Sequence, residues 1–447
     1  MYVKFILSFY FFEFFEFLSG FGESIDHVCR FRVEVFLERV EMRGVCFVLL
    51  GFLLGIFVLE IKGEDEGCNV NEWVPDESDR GYWVLCVESE ERLNVYENIG
   101  KKPITIRNFE NIRENLRREL NIQSTYTFSV KSKHVNDKEM TFQKQPFAIY
   151  EVSDTVRRID ETLSRGKTYV LIEGGMWRWP PMRVGYKRDL SSDFTLETFA
   201  VRPALFRLEV SSRVRQHVSD VLQIVESRKM KRSQISGKGG RNKIDLRRRS
   251  SYTSFVSYKE SPALMELFHM TARDVLHVDA GFEHDGTGGF ESDIQTVQYK
   301  KKGHYDAHRD YFHPMECPNE FSKSRFVSQN GYWKNRHATV LWYLQQPDSR
   351  GGETWFPRAS STTTTNWSPE DGDFESCDKN VGLLIPPHGV VLFYNLRADG
   401  TFDDHSWHAG CRVDTNATSP KVMANMWLWN SPPSYLYLES SINNHEL

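Results

Sequence analysis

His308-Arg309-Asp310 sets an imidazole and a carboxylate two positions apart. On a strand, or at its end, residues with that spacing project to the same side. A ring nitrogen and a carboxylate oxygen can then bind one metal ion. A further histidine, His408 in the run HSWHAGC, lies downstream beside strand-like sequence. Two histidines and one carboxylate on one face of an octahedral ion leave three positions open, the arrangement of non-haem iron(II) oxygenases. Those positions suit a bidentate 2-oxo acid and dioxygen. The H-x-D spacing alone arises by chance, and the chain has 14 histidines. His304, His313 and His405 lie nearby, and by residue type and position His405 competes with His408 for the distal place. Lys421 opens the strand after His408. A buried ammonium needs an anion to offset its desolvation, and the far carboxylate of a 2-oxo diacid is one; otherwise a strand-opening lysine is solvated.

These residues need a scaffold. From Asp293 onward, short apolar runs (DIQTVQY, ATVLWYL, VGLLI, GVVLFYN, KVMANMWLW) alternate with Gly, Pro, Asn and Ser clusters, which predicts a sandwich or jelly roll. Ahead of it, Val214, Val218, Val221, Leu222 and Val225 predict a helix over 213–227, and Leu264, Leu267, Phe268 and Val275 a second over 261–276. Between them runs SRKMKRSQISGKGGRNKIDLRRRSS, in which Asp245 is the only acid. It reads as a solvated mobile loop or, beside an active site, a flap. Residues 64–195 mix strand-like runs (ITI, TYTFSV, YVLI) with a helix over 111–120, and Trp177-Arg-Trp-Pro-Pro-Met reads as a structured turn.

At 447 residues the chain has room for two folded units and a tail. Its 40% hydrophobic and 13% aromatic content supports a sizeable core, and its net charge of −5 does not suggest nucleic acid as a partner. The most apolar run, VCFVLLGFLLGIFVL at 45–59, comes after Arg39, Glu41 and Arg43 and precedes Glu60, Lys62, Glu64, Asp65 and Glu66. It is short beside the roughly 20 residues of a spanning helix and fits a signal peptide or short signal anchor. The flanking charges place the bulk of the chain in the lumen. Cys68 and Cys86 could pair there. The connectivity of Cys317, Cys377 and Cys411 is open. Asn366-Trp-Ser and Asn416-Ala-Thr are glycosylation sequons.

Residues 196–430 resemble the catalytic domain of the prolyl 4-hydroxylase family, which includes plant, algal and animal collagen-type enzymes. The resemblance is carried by Tyr299, Gly303-His304-Tyr305, His308-Arg309-Asp310-Tyr311-Phe312, Arg336-His-Ala-Thr-Val-Leu-Trp-Tyr343-Leu, Gly351-Gly-Glu-Thr-Trp-Phe-Pro357, His408-Ala-Gly-Cys411, Lys421 and Trp427. It implies a double-stranded β-helix in which His308, Asp310 and His408 hold iron(II), and it prefers His408 to His405. It implies Lys421 on the distal carboxylate of 2-oxoglutarate, assisted by Tyr299 and Thr354, and Tyr305, Arg336 and Trp427 along a peptide groove. Ascorbate is implied as a further cofactor. The interval to Lys421 carries an additional loop, Thr415-Asn-Ala-Thr-Ser-Pro.

The expectation is a mainly β chain with flanking helices. An unassigned extension occupies 1–41, a signal or anchor 42–63 and a β-rich accessory region 64–195. The dioxygenase domain occupies 196–430 and a tail 431–447. The expected activity is hydroxylation of peptidyl proline in the endoplasmic reticulum lumen, by a secreted or membrane-anchored protein with no nucleic-acid partner and an open subunit composition. The alternatives are the same chemistry on another peptidyl residue, or an inactive lumenal binding or assembly protein.

Overall fold

The computed structural model describes residues 68–430 except 78, 90, 108–110, 133–134, 154, 160–161, 237–241, 279–288, 292, 314–326, 329–330, 360–376 and 378–381, together with four N-terminal strands. Residues 1–66 and 67–447 are separate compact units. In the first, Glu34–Phe36 pairs with Arg39–Glu41 and Gly44–Phe52 with Gly55–Gly63, both antiparallel. The apolar run expected as a signal or anchor is therefore folded into a hairpin. Its valines, isoleucines and phenylalanines favour extended backbone. Among the described residues, no helix is long and apolar enough to cross a membrane. The 1–41 extension otherwise, the 431–447 tail and Asn366 lie outside the described residues.

Eight strands of the second unit build the site. They are β1 (Asp293–Tyr299), β2 (Tyr305–His308), β3 (Arg336–Gln345), β4 (Thr354–Phe356), β5 (Leu383–Ile385), β6 (Val390–Tyr394), β7 (His408–Gly410) and β8 (Lys421–Trp429). A minor sheet has the order β2-β7-β4-β5, and a major sheet contains β6-β3-β8-β1, all antiparallel. Successive strands thus cross between the two sheets except at β4 and β5, which pair within the minor sheet, the double-stranded β-helix that the family resemblance implies. The major sheet extends beyond β6 through Leu205–Val210, Phe194–Ala200 and Lys187–Ser191, and beyond β1 through Tyr252–Ser257 and Lys231–Arg232.

Strand parity divides the core. On β3, Ala338, Val340 and Trp342 face outward with Val422, Ala424, Met426 and Leu428 of β8. They pack under helices Ser212–Glu226 and Pro262–Met270 through Val214, Val221, Val225, Leu264, Leu267 and Phe268. The opposite parity, Leu341, Tyr343 and Met423, lines the interior with Tyr299, Phe356 and Phe393. Ser211 and Ser261 cap the helices by accepting from the amides of Val214 and Leu264, and Pro262 occupies the first turn of the second. That helix stops at Met270 and continues as a π turn to Val275, where the sequence suggested one helix to 276.

The region before the catalytic strands forms a six-stranded antiparallel sheet with its own apolar layer around Leu85, Leu93, Leu116, Ile149 and Leu171. It is continuous with the catalytic strands. The major sheet begins at Lys187, ahead of the expected boundary at 196, and Tyr82, Val170 and Trp177 share a core with Phe206 and Tyr394. The Trp177-Arg-Trp-Pro-Pro turn is buried, and the Trp179 indole and Arg178 guanidinium are its fasteners. Trp179 Nε1 donates to the Val275 carbonyl at 2.7 Å, and Arg178 donates to the Leu396 carbonyl at 2.7 Å while pairing with Asp79 at 2.8 Å. Disulfides join Cys68 to Cys86 and Cys377 to Cys411.

Candidate metal and co-substrate site

His308 closes β2 and His408 opens β7, and the ladder makes them direct cross-strand partners. Their rings lie 4.4 Å apart, centroid to centroid. Asp310 lies two residues beyond the end of β2 and points to the same side. Its Oδ1 is 3.8 Å from His308 Nε2 and its Oδ2 3.9 Å from His408 Nε2. One ligand atom from each of the three lies within 4.8 Å of the others, close enough to converge on one ion.

Each imidazole is oriented by the backbone. His308 Nδ1 donates to the Asp306 carbonyl and His408 Nδ1 to the Ser406 carbonyl, both at 2.9 Å. That arrangement leaves both Nε2 lone pairs free, and an outer hydrogen bond of this kind fixes the tautomer of a metal-binding histidine. Burial, then the neighbouring His408 ring, holds His308 well below its ordinary value and so keeps it neutral. For Asp310, burial pushes the carboxyl up, but His408, His308 and Arg336 outweigh it and keep it ionised.

Asp310 is held by its second oxygen. Oδ2 accepts from Thr339 Oγ1 at 2.9 Å and from Trp427 Nε1 at 3.0 Å, and Asn395 Nδ2 donates to Thr339 Oγ1 at 2.9 Å. Thr339 and Trp427 are themselves a cross-strand pair of β3 and β8. With Oδ2 engaged, Oδ1 is left for an ion. Two imidazoles presenting Nε2 and one carboxylate presenting Oδ1, all aimed inward, fit a divalent iron site with a vacant face.

Lys421 stands directly opposite Tyr299 on β8 and β1. It is 1% exposed, and among the described residues no carboxylate forms an ion pair with it. Its ammonium lies 5.2 Å from the ring centroids of both Tyr299 and Tyr343. Burial lowers its pKa to about 7, with partial opposition from Glu353. Tyr343 Oη and Thr354 Oγ1 hydrogen-bond at 2.6 Å, and burial pushes Tyr299 up to about 12, keeping its hydroxyl protonated. The Gly351-Gly352 turn makes room. Both residues have positive φ, a Cβ on Gly351 would collide with the Arg412 carbonyl, and one on Gly352 would press on Lys421 Cδ at 3.4 Å. Lys421, Tyr299, Tyr343 and Thr354 thus form a buried cluster of one amine and three hydroxyls.

The residues expected along a peptide groove divide. Tyr305 is half-buried and stacks on His308 at 3.7 Å between ring centroids, so it borders the triad. Trp427 is 5% exposed and donates through Nε1 to Asp310, which puts it beside the triad. Arg336 is tied by Glu291 at 2.6 Å, lies 3.7 Å from the Trp427 ring centroid and donates to the Asp310 carbonyl at 3.3 Å. His405 sits on a turn with Nδ1 at 3.2 Å from Asp403 Oδ1 and does not join the triad. Asn416 is exposed on a turn. A cavity of ≈ 980 Å³ between helices Ser212–Glu226 and Pro262–Met270 holds none of these residues and has no part in this chemistry.

Sequence reasoning missed Tyr343, Thr339 and Asn395. The first two share inward parity on β3 with Leu341, a signal that was available; Asn395 lies just beyond β6 and had none.

Residues 294–429 match the family model of the 2OG-Fe(II) oxygenase superfamily. Prolyl 4-hydroxylase 2 of Arabidopsis thaliana is 35% identical over 30% of this chain and 40% of its own length. The transmembrane prolyl 4-hydroxylase of Mus musculus is 35% identical over 32% of this chain and 31% of its own. The chain therefore spans less than half the length of these relatives. A solved structure of a viral collagen prolyl hydroxylase from Paramecium bursaria Chlorella virus-1, in complex with 2OG, covers 48% of this chain and 90% of its own at 18% identity and a TM-score of 0.29.

Proposed function

Starting from a catalytic domain of the prolyl 4-hydroxylase family within the 2OG-Fe(II) oxygenase superfamily, we propose that this chain is an iron(II)- and 2-oxoglutarate-dependent dioxygenase that hydroxylates peptidyl proline. The observation that carries the reading is the convergence of His308, Asp310 and His408, in a fold that also buries a lysine which, among the described residues, pairs with no carboxylate. Iron(II), when bound, supplies the redox chemistry: 2-oxoglutarate, O₂ and a substrate C–H give succinate, CO₂ and the hydroxylated product.

The chain's own residues bind and orient. His308 and His408 present Nε2, and Asp310 presents Oδ1 with one negative charge. Trp427 and Thr339 fix the rotation of that carboxylate. Lys421 meets the distal carboxylate of the co-substrate, and the Tyr299, Tyr343 and Thr354 hydroxyls complete its hydrogen bonds. Phe356 and Phe393 pack on the His408 ring, at 5.5 and 4.9 Å between centroids, and keep water from that side. Tyr305 borders the approach to the metal, where a proline ring would lie.

The same reading places the chain in the secretory pathway. Two disulfides suit an oxidising compartment, and the Asn416 sequon is accessible. One relative is a transmembrane prolyl 4-hydroxylase.

The test is succinate formation by the purified full chain with iron(II), 2-oxoglutarate, O₂, ascorbate and a panel of proline-rich and collagen-like peptides beside matched peptides lacking proline. Stimulation by a proline peptide with hydroxyproline in the product supports the assignment. Stimulation only by peptides lacking proline, or no succinate at all, overturns it.

A further inference from the structure

The basic stretch between the two helices has a defined place in the fold. Arg249 forms an antiparallel bridge with Tyr305, the Asp306 amide donates to the Arg248 carbonyl at 2.8 Å, and the Ser250 amide donates to the His304 carbonyl at 3.0 Å. The His304 ring joins in through Nε2, 2.7 Å from the Arg247 carbonyl, and Nδ1, 3.0 Å from Ser250 Oγ. Residues 247–250 thus run along the free edge of β2, and the stretch expected to be a mobile loop is fastened here. The Arg249 guanidinium lies 4.3 Å from the Tyr305 ring centroid, and Tyr305 in turn stacks on His308.

This edge carries a one-signed surface. Lys243, Arg247 and Arg248 are exposed, as are Lys300, Lys301 and Lys302 in the turn joining β1 to β2. Two carboxylates face them. Asp245 lies 3.6 Å from Lys243 and 3.7 Å from Arg247, and Asp306 lies 3.8 Å from Arg248. Six cations against two acids leave a clear positive excess. Ile244 and Leu246 stand among them at 54% and 51% exposure.

We propose that this cationic edge is a specificity surface that docks acidic residues of the peptide substrate beside the target proline. The inference rests on the hydroxylase reading and deepens it. An extended peptide advances about 3.3 Å per residue, so a chain passing Tyr305 brings its next few side chains onto the 243–249 strip. Carboxylates there meet oppositely charged guanidinium and ammonium groups, while Ile244 and Leu246 offer contact to the peptide's apolar atoms. Rim charges of this kind act on encounter and partner choice, and salt weakens them.

The test is direct binding to the full chain loaded with manganese(II) and 2-oxoglutarate, read by fluorescence anisotropy. The probes are three labelled proline peptides differing only in Glu, Gln or Lys on either side of the proline. The expected result is tighter binding of the Glu peptide than of the Lys peptide by about tenfold at low salt, shrinking toward parity at about 0.5 M salt. The charge reversal R247E/K301E, both exposed positions, should invert that order. Equal affinity for the three peptides, or an order unchanged by charge reversal, overturns the proposal. So does charge reversal that abolishes capture by phosphatidylserine vesicles while peptide affinities stay put, which would assign the edge to a membrane. Because binding is read without turnover, failure of the hydroxylase reading shows separately as no succinate from a peptide that binds.

Discussion

Replacing Lys421 with methionine separates co-substrate binding from folding. The ammonium is 1% exposed, and among the described residues it pairs with no carboxylate. In the ligand-free protein it is therefore a burden, as its depression to about 7 by burial indicates. Methionine is unbranched like lysine, one heavy atom shorter, and uncharged, so the ligand-free K421M protein should melt no lower than the parent. With 2-oxoglutarate present the sign reverses. The distal carboxylate would then sit buried without its cation, and losing one member of a buried pair costs about 3–5 kcal/mol. That is roughly two to three and a half orders of magnitude in Kd. The pH dependence comes from the same group. Above pH about 7 the free amine is mostly neutral, so binding the diacid must take up a proton. At pH 8 uptake should approach one proton, and affinity should weaken by about tenfold per pH unit until the pKa of the complex is reached. Below about pH 6 the ammonium is already charged and affinity is flat. Anaerobic calorimetry of manganese(II)-loaded protein in two buffers of different ionisation enthalpy measures both Kd and proton uptake. A parent-like Kd in K421M, or no proton uptake by the parent at pH 8, would refute this reasoning.

Thr339→Val and Trp427→Phe each remove one donor to Asp310 Oδ2; both should weaken metal binding by about 10–100-fold in a competition titration while the protein stays folded by circular dichroism. Tyr343→Phe removes the 2.6 Å bond to Thr354 and should weaken 2-oxoglutarate by about fivefold without changing metal affinity. Loss of the Cys68–Cys86 bridge, whose partners are 18 residues apart, should destabilise the chain by about 3 kcal/mol in chemical denaturation of C68A/C86A.

Much of the site was legible because strand parity is a local property. His308 and Asp310 share a side by their spacing alone. Lys421 and Trp427 are six positions apart on one strand, an even interval. That parity already places Trp427 inward with Lys421, on the side of the sheet where it meets Asp310. The choice between His405 and His408 was different in kind. Both sit beside strand-like sequence; the His408-Ala-Gly-Cys411 run favoured His408 only through family resemblance, and the physical reason, the register that sets His408 opposite His308, is a long-range pairing. The same holds for the basic stretch. Its composition suggests a solvated loop, yet Ser250 and His304, 54 positions apart, fasten it to β2. The apolar run at 45–59 shows the limit of composition: Val, Ile and Phe serve a buried segment or a hairpin equally, and turn pairing decides.

Metal stoichiometry tests most directly whether two imidazoles and one carboxylate share a ferrous ion. Anaerobic titration of the full chain with iron(II) should find one tight site per chain. The site should be lost in His308→Ala, Asp310→Asn and His408→Ala, and retained in His405→Ala. Unchanged binding in His408→Ala, or loss of the site in His405→Ala, would contradict the assignment.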